Sequence, residues 1–113
     1  MFKNKQCPPY YAVIFTSRLN LENSAGYTEM AQKMVDLAEK QSGFLGIESA
    51  RDAEGMGITV SYWKSLEAIE LWKSDLEHKE AQTLGKKKWY DAFSLRVCKV
   101  ERDHFFTKER NTE

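Results

Sequence analysis

The side chains best suited to chemistry gather in one stretch, Gly57–Gln82, where a strand-like run passes through a single serine, Ser65, into a helix bearing an aromatic residue. Trp63 and Trp72 lie on either side of that serine, and His78 and Gln82 follow. An imidazole ordinarily changes charge near neutral pH, so His78 reads as a proton-transferring group. It also reads as a solvated or helix-capping residue, because it stands between Glu77 and Lys79 with few apolar neighbours. Trp72 falls on an apolar helical stripe, which leaves both core packing and ligand contact open to it. Trp63 is open to core, dimer or ligand contact. Upstream, Ser17 and Arg18 end another strand-like run and offer a hydroxyl and a permanent cation. Their plainer reading is a backbone-satisfying hydroxyl and a surface ion pair. No Ser-His-Asp order, phosphate-cradling glycine loop or metal-ligand spacing accompanies these groups.

A chain of 113 residues can form one domain of ordinary size, without room for a second independent core. Lys plus Arg and Asp plus Glu both number 17, so the net charge is zero, which argues against nucleic acid as a partner. The run Lys86-Lys87-Lys88, with Asp91 nearby, reads as a solvated helix face. Cys7 and Cys98 have neither CxxC nor metal-ligand spacing, and no secretory apolar segment is recognisable, so a reduced, cytoplasmic protein is expected. Cys98 reads as a small core residue within a strand. The apolar runs are too short to span a bilayer, and no membrane partner is expected.

These groups need elements to hold them. Residues 1–9 read as an extended leader closed by Pro8 and Pro9, residues 10–103 as the domain, and 104–113 as a charged tail. Tyr10–Arg18 is rich in aromatic and β-branched residues and predicts the first strand. Apolar residues at Tyr27, Met30, Ala31, Met34, Val35 and Ala38 predict a helix, with Gly43 expected to end it in a left-handed conformation. Phe44–Ala53 and Met56–Lys64 predict a hairpin turning at Glu54-Gly55. Ser65 is placed to cap a second helix with Glu67 in its first turn. Its apolar stripe fades past Leu76, which predicts a bend near Asp75 and a short helical piece around Glu77–Leu84. Ser94–Arg102 then predicts a fourth strand.

The order β-α-β-β-α-β is the ferredoxin-like α+β pattern, a four-stranded antiparallel sheet with two main helices on one face. Val13, Phe15, Ile47, Ile58, Val60 and Val97 are too many apolar residues for both faces to be wet comfortably. A homodimer with packed sheets is the expected solution.

Several short matches then converge. Gly26-Tyr27 at the first helix, Gly43-Phe44-Leu45-Gly46 opening the second strand, Tyr62-Trp63-Lys64-Ser65, Trp72, Glu77–Gln82 and Val97–Asp103 together resemble the antibiotic biosynthesis monooxygenase family of the dimeric α+β barrel superfamily. The likeness runs from Tyr10 to Arg102. It implies a small dimeric enzyme acting on an aromatic or polyketide-like small molecule without a cofactor. In such oxygenases the deprotonated substrate itself reduces dioxygen, and the protein supplies a dry pocket, a base and positioned polar groups. On that resemblance Trp72 and Trp63 are aromatic walls, Ser17 takes the place of a first-strand asparagine that bonds a phenol or carbonyl, Arg18 steadies negative charge, and His78 is the base. Gln82 joins Trp72 and Trp63 as a substrate-binding residue on that resemblance; it falls where haem-degrading relatives place an iron-binding histidine, and an amide is a poor iron ligand beside an imidazole. Haem binding, with His78 standing in, is therefore the alternative cofactor reading, and a non-catalytic ligand-binding or interaction protein is the third.

Overall fold

The structure is a computed structural model that describes residues 7–22, 24–78 and 89–108, with residues 77 and 78 described by their backbone alone. Its elements are β1 (Tyr10–Leu19), α1 (Tyr27–Glu39), β2 (Phe44–Arg51), β3 (Met56–Trp63), α2 (Leu66–His78) and β4 (Tyr90–Val100). The strands form one antiparallel sheet in the order β2-β3-β1-β4. This is the ferredoxin-like α+β arrangement that the element order predicts.

Strand alternation decides what each face carries. Tyr11, Val13, Phe15 and Ser17 stand opposite Trp63, Ser61, Thr59 and Gly57, so these eight residues share a face. On it Val13 and Trp63 pack with Ala38 of α1 and with Ala68 and Ile69 of α2, while Tyr11, Phe44 and Trp72 close the margin. The helices therefore cover this face, and the core lies at the Trp63 end of the strands. The other face presents Tyr10 against Tyr62, edge to face at 6.1 Å. Tyr10 donates to Asp103 and Tyr62 donates to Glu48. Burial first, and then these carboxylate hydrogen bonds, push both hydroxyls up to about 12, which keeps them as neutral donors. Further along this face Met56 and Ile58 are exposed.

Local chemistry explains most element ends. Ser65 Oγ accepts from the Ala68 N–H at 3.1 Å and caps α2 as its position predicts. The expected bend at Asp75 is not found, because buried Ile69 and Leu76 hold α2 as one helix as far as His78. The rest of the expected piece around Glu77–Leu84 lies outside the described residues. Strand β2 stops at Arg51 instead of Ala53. The Asp52 carboxylate accepts from the Glu54 and Met56 amides, each at 2.9 Å, and turns the chain into the tight corner completed by Gly55 at φ 94°. Strand β4 begins at Tyr90 instead of Ser94, because the aromatic segment joins the ladder across an irregularity at Arg18/Leu19.

Gly43 differs from expectation in kind. Helix α1 ends on Lys40 in a right-handed conformation, and Gly43 is not left-handed. It is instead buried where a Cβ would stand 2.4 Å from the Ala68 Cβ, so it lets α2 approach the sheet. Gly43→Ala is expected to lower stability by about 1–3 kcal/mol through overpacking. A thermal melt reads this, and an unchanged midpoint would show that α2 shifts freely.

Candidate functional site

One row across the helix-covered face gathers polar groups. Arg51 of β2 stands opposite Gly57 of β3, Gly57 opposite Ser17 of β1, and Ser17 opposite Phe93 of β4. The Arg51 side chain crosses β3 and donates from Nη2 to Ser17 Oγ at 2.8 Å and to the Tyr27 hydroxyl at 3.2 Å. Its Nη1 donates to the Gly55 carbonyl. Ser17 is 2 % exposed, so its hydroxyl serves the guanidinium before it can serve a ligand. Arg51 is half-buried, and no carboxylate among the described residues pairs with it. A cation withdrawn from water without a counter-ion favours an incoming negative charge.

Aromatic rings enclose the group. Tyr27, the first residue of α1, faces the guanidinium with its ring centroid 5.5 Å from Cζ. Trp89 meets Tyr27 at 5.9 Å and donates from Nε1 to the Ala25 carbonyl at 3.0 Å, tying the entry of β4 to the entry of α1. Tyr90 sits 5.7 Å from the Tyr27 ring and donates to its hydroxyl at 3.3 Å. Phe15 lies against both Tyr90 and Phe93, at 5.3 and 5.5 Å. Phe93 is 39 % exposed, so the cluster reaches solvent on the β4 side. Burial, then the hydrogen bond to Tyr27, raises Tyr90 well above the ordinary phenol value, although the Arg51 charge pulls the other way. Tyr90 therefore stays protonated and holds its proton on the Tyr27 hydroxyl.

The residues singled out in the sequence fall in different places. Ser17 lies in the cluster. Arg18, its neighbour, is exposed and on the opposite face, as alternation requires, so the cation beside Ser17 is Arg51. Trp63 is 0 % exposed in the core, its Nε1 donating to Ser61 Oγ at 2.8 Å. Trp72 stacks on Trp63 at 4.9 Å, and its buried Nε1 has no acceptor among the described residues. Trp63 is in register with Tyr11, six residues along β1 from Ser17, which places it about 20 Å down the strand from the cluster. The His78 side chain and the whole of Gln82 lie outside the described residues, and with them the side chains on which the haem alternative rests.

None of Arg51, Tyr27, Tyr90 and Gly57 is a candidate site residue in the sequence: Arg51 and Gly57 read as strand residues, Tyr27 as part of the helical stripe and the Gly26-Tyr27 match, and Tyr90 precedes the expected fourth strand. The sequence carried no signal for this pairing: a two-residue turn at Glu54-Gly55 would set Arg51 opposite Ile58, whereas the loop that forms spans residues 53–55 and sets it opposite Gly57. An arginine facing a glycine across a ladder has room to reach the next strand.

The sequence pattern of the antibiotic biosynthesis monooxygenase family matches residues 10–84, a span that holds Ser17, Tyr27, Arg51, Gly57 and Trp72. The chain belongs to this family. Among curated proteins, the uncharacterized protein YqjZ of Bacillus subtilis (strain 168) is 51 % identical over 104 residues, covering 92 % of this chain and 90 % of its own. Among solved structures, Rv0793 from Mycobacterium tuberculosis superposes with a TM-score of 0.71 at 11 % identity, covering 84 % of this chain and 97 % of its own. SnoaB, a cofactor-independent oxygenase from Streptomyces nogalater, superposes with a TM-score of 0.67 at 8 % identity, covering 89 % and 100 %. At such identities these two share the fold with this family member. No described helix is long and apolar enough to cross a membrane.

Proposed function

We propose that the protein is a cofactor-independent monooxygenase acting on a small aromatic or polyketide-like molecule with an acidic hydroxyl or activated methylene. The observation that carries this reading is the half-buried Arg51, unpaired by any carboxylate among the described residues and ringed by the hydroxyls of Ser17, Tyr27 and Tyr90. An ionised phenol or enol laid against Phe15 and Phe93 has its oxyanion met by the guanidinium and by the Tyr27 hydroxyl. The substrate's own electrons then reduce dioxygen. In an anthrone the ring CH2 becomes C=O, one oxygen atom stays on carbon, the other leaves as water, and all four electrons come from the substrate. His78 is kept as the base that removes the first proton, and Trp72 as an apolar wall deeper under α2.

The same reading takes the protein as a cytoplasmic homodimer. Its support is the apolar surface left over by one copy: Met56 and Ile58 on one face of the sheet, and Leu95 and Val97 on the edge strand β4, all more than two-fifths exposed.

Oxygen uptake with a panel of hydroquinones and anthrones tests the proposal. Uptake is expected with at least one of them, and a loss of about tenfold or more in Ser17→Ala and His78→Ala, with a smaller loss in Trp72→Phe. Absence of uptake across the panel, or uptake unchanged in all three variants, would sink it.

A further inference from the structure

The crossing of β3 by Arg51 depends on what Gly57 lacks. A Cβ built at Gly57 would stand 2.6 Å from Arg51 Cζ, 2.8 Å from Nη2 and 2.9 Å from Nη1. These are the three atoms that bring positive charge to Ser17 and Tyr27. No side chain other than hydrogen leaves the guanidinium flat on the strand. Gly57 lies in the middle of a three-strand register, between Arg51 and Ser17, where a β-branched or aromatic residue would suit a strand better. Nothing in its backbone calls for glycine, because positive φ occurs elsewhere, at Gly26 and Gly55. The cost of a glycine in a strand is thus matched to one visible gain, passage for Arg51.

We infer that Gly57 is a positioning residue of the site: it lets Arg51 of β2 cross β3 and stand over β1, where the guanidinium holds the oxyanion of an aromatic ligand. Ser17 is the anchor on the far side, accepting from Nη2, and Tyr27 covers the guanidinium from α1. Adding a methyl group at Gly57 meets the flexible end of a side chain, so the fold can release the clash by swinging Arg51 aside. The sheet then survives while the cation leaves Ser17 and Tyr27. The inference rests on the proposed substrate class, but its test needs no turnover.

The probe is 4-nitrophenol, whose colour reports whether it is bound as phenol or phenolate. Wild-type protein is expected to bind the phenolate at least about tenfold more tightly than the phenol, lowering the apparent pKa of the bound probe by about one unit or more. Gly57→Ala and Arg51→Gln are each expected to lose that preference while still binding the neutral phenol and keeping a cooperative thermal melt, its midpoint lowered by the loss of the donor to Ser17. Equal binding of the two forms by the wild type, or binding of neither, overturns the inference. So does a Gly57→Ala variant that keeps the wild-type preference, or one that fails to fold, since the glycine would then serve the sheet and not Arg51. Phenolate preference without oxygen uptake on any anthrone would remove the monooxygenase reading and leave this inference standing. Uptake without a Gly57-dependent preference would do the reverse.

Discussion

Trp63→Ala is expected to lower the unfolding free energy by about 3–5 kcal/mol, a large part of the stability of a domain this size. Trp63 has no exposure at all and joins both helices to the sheet. Its ring stands edge-on to Phe44 at 5.5 Å and stacked on Trp72 at 4.9 Å with 29° between planes. Truncation opens a cavity that Val13, Ala38 and Ala68 are too short to fill. It also removes the donor to Ser61 Oγ, leaving a hydroxyl that is 2 % exposed without its partner. Trp63→Phe keeps most of the volume but still loses that donor, so an intermediate loss is expected. Urea unfolding monitored by circular dichroism gives both values. A loss under about 1 kcal/mol in Trp63→Ala would mean that the helices close over the gap, and the tight packing of α2 on Gly43 would then need another account.

The contrast between that core and the polar cluster explains which parts of the molecule could be read from the chain. Periodicity is a local property, and it carried β1, α1, the hairpin and the capped start of α2 at Ser65. Register is not local. Ser17 and Arg18 are adjacent in the chain and point to opposite sides of the sheet, so within one copy they do not meet. The cation that does meet Ser17 comes from 34 positions away, across an intervening strand, and only a glycine at the crossing makes the contact possible. Tyr90 depends on a different non-local event. The start of β4 is drawn four residues forward of its alternating run by pairing with Leu19 and by the Trp89 bond to Ala25, and this places its hydroxyl on Tyr27. Gly43 shows the same limit from the packing side. Its place just after a helix suggests a left-handed cap, whereas its contact with Ala68 belongs to a helix that starts more than twenty residues later.

Arg51→Gln is expected to reduce kcat/KM on a phenolic or anthrone substrate by about 100- to 1,000-fold, the range for losing a principal oxyanion-stabilising group. The amide ends over Gly57, short of Ser17, so the fold is kept while Ser17 and Tyr27 lose their donor, and the melting midpoint should fall by the equivalent of about 1–2 kcal/mol. What disappears is the positive charge, and with it the one group in the cluster that favours a deprotonated ligand. The Tyr27 hydroxyl can donate a hydrogen bond to an oxyanion but cannot balance it, and the Tyr90 proton is already committed to Tyr27. Two further readouts separate loss of charge from general damage. The apparent pKa of kcat, which reports the enzyme–substrate complex, should move upward in Arg51→Gln, because the bound substrate now ionises without a neighbouring cation, and kcat should recover in part at alkaline pH. Arg51→Lys should restore some of the rate but not all, since an ammonium supplies a point charge without the fork whose Nη2 bonds Ser17 and Tyr27 while Nη1 holds the Gly55 carbonyl. If Arg51→Gln kept wild-type kcat/KM and an unshifted pH profile, the guanidinium would be a structural clasp between β2 and α1. The oxyanion would then have to be met elsewhere under the helices.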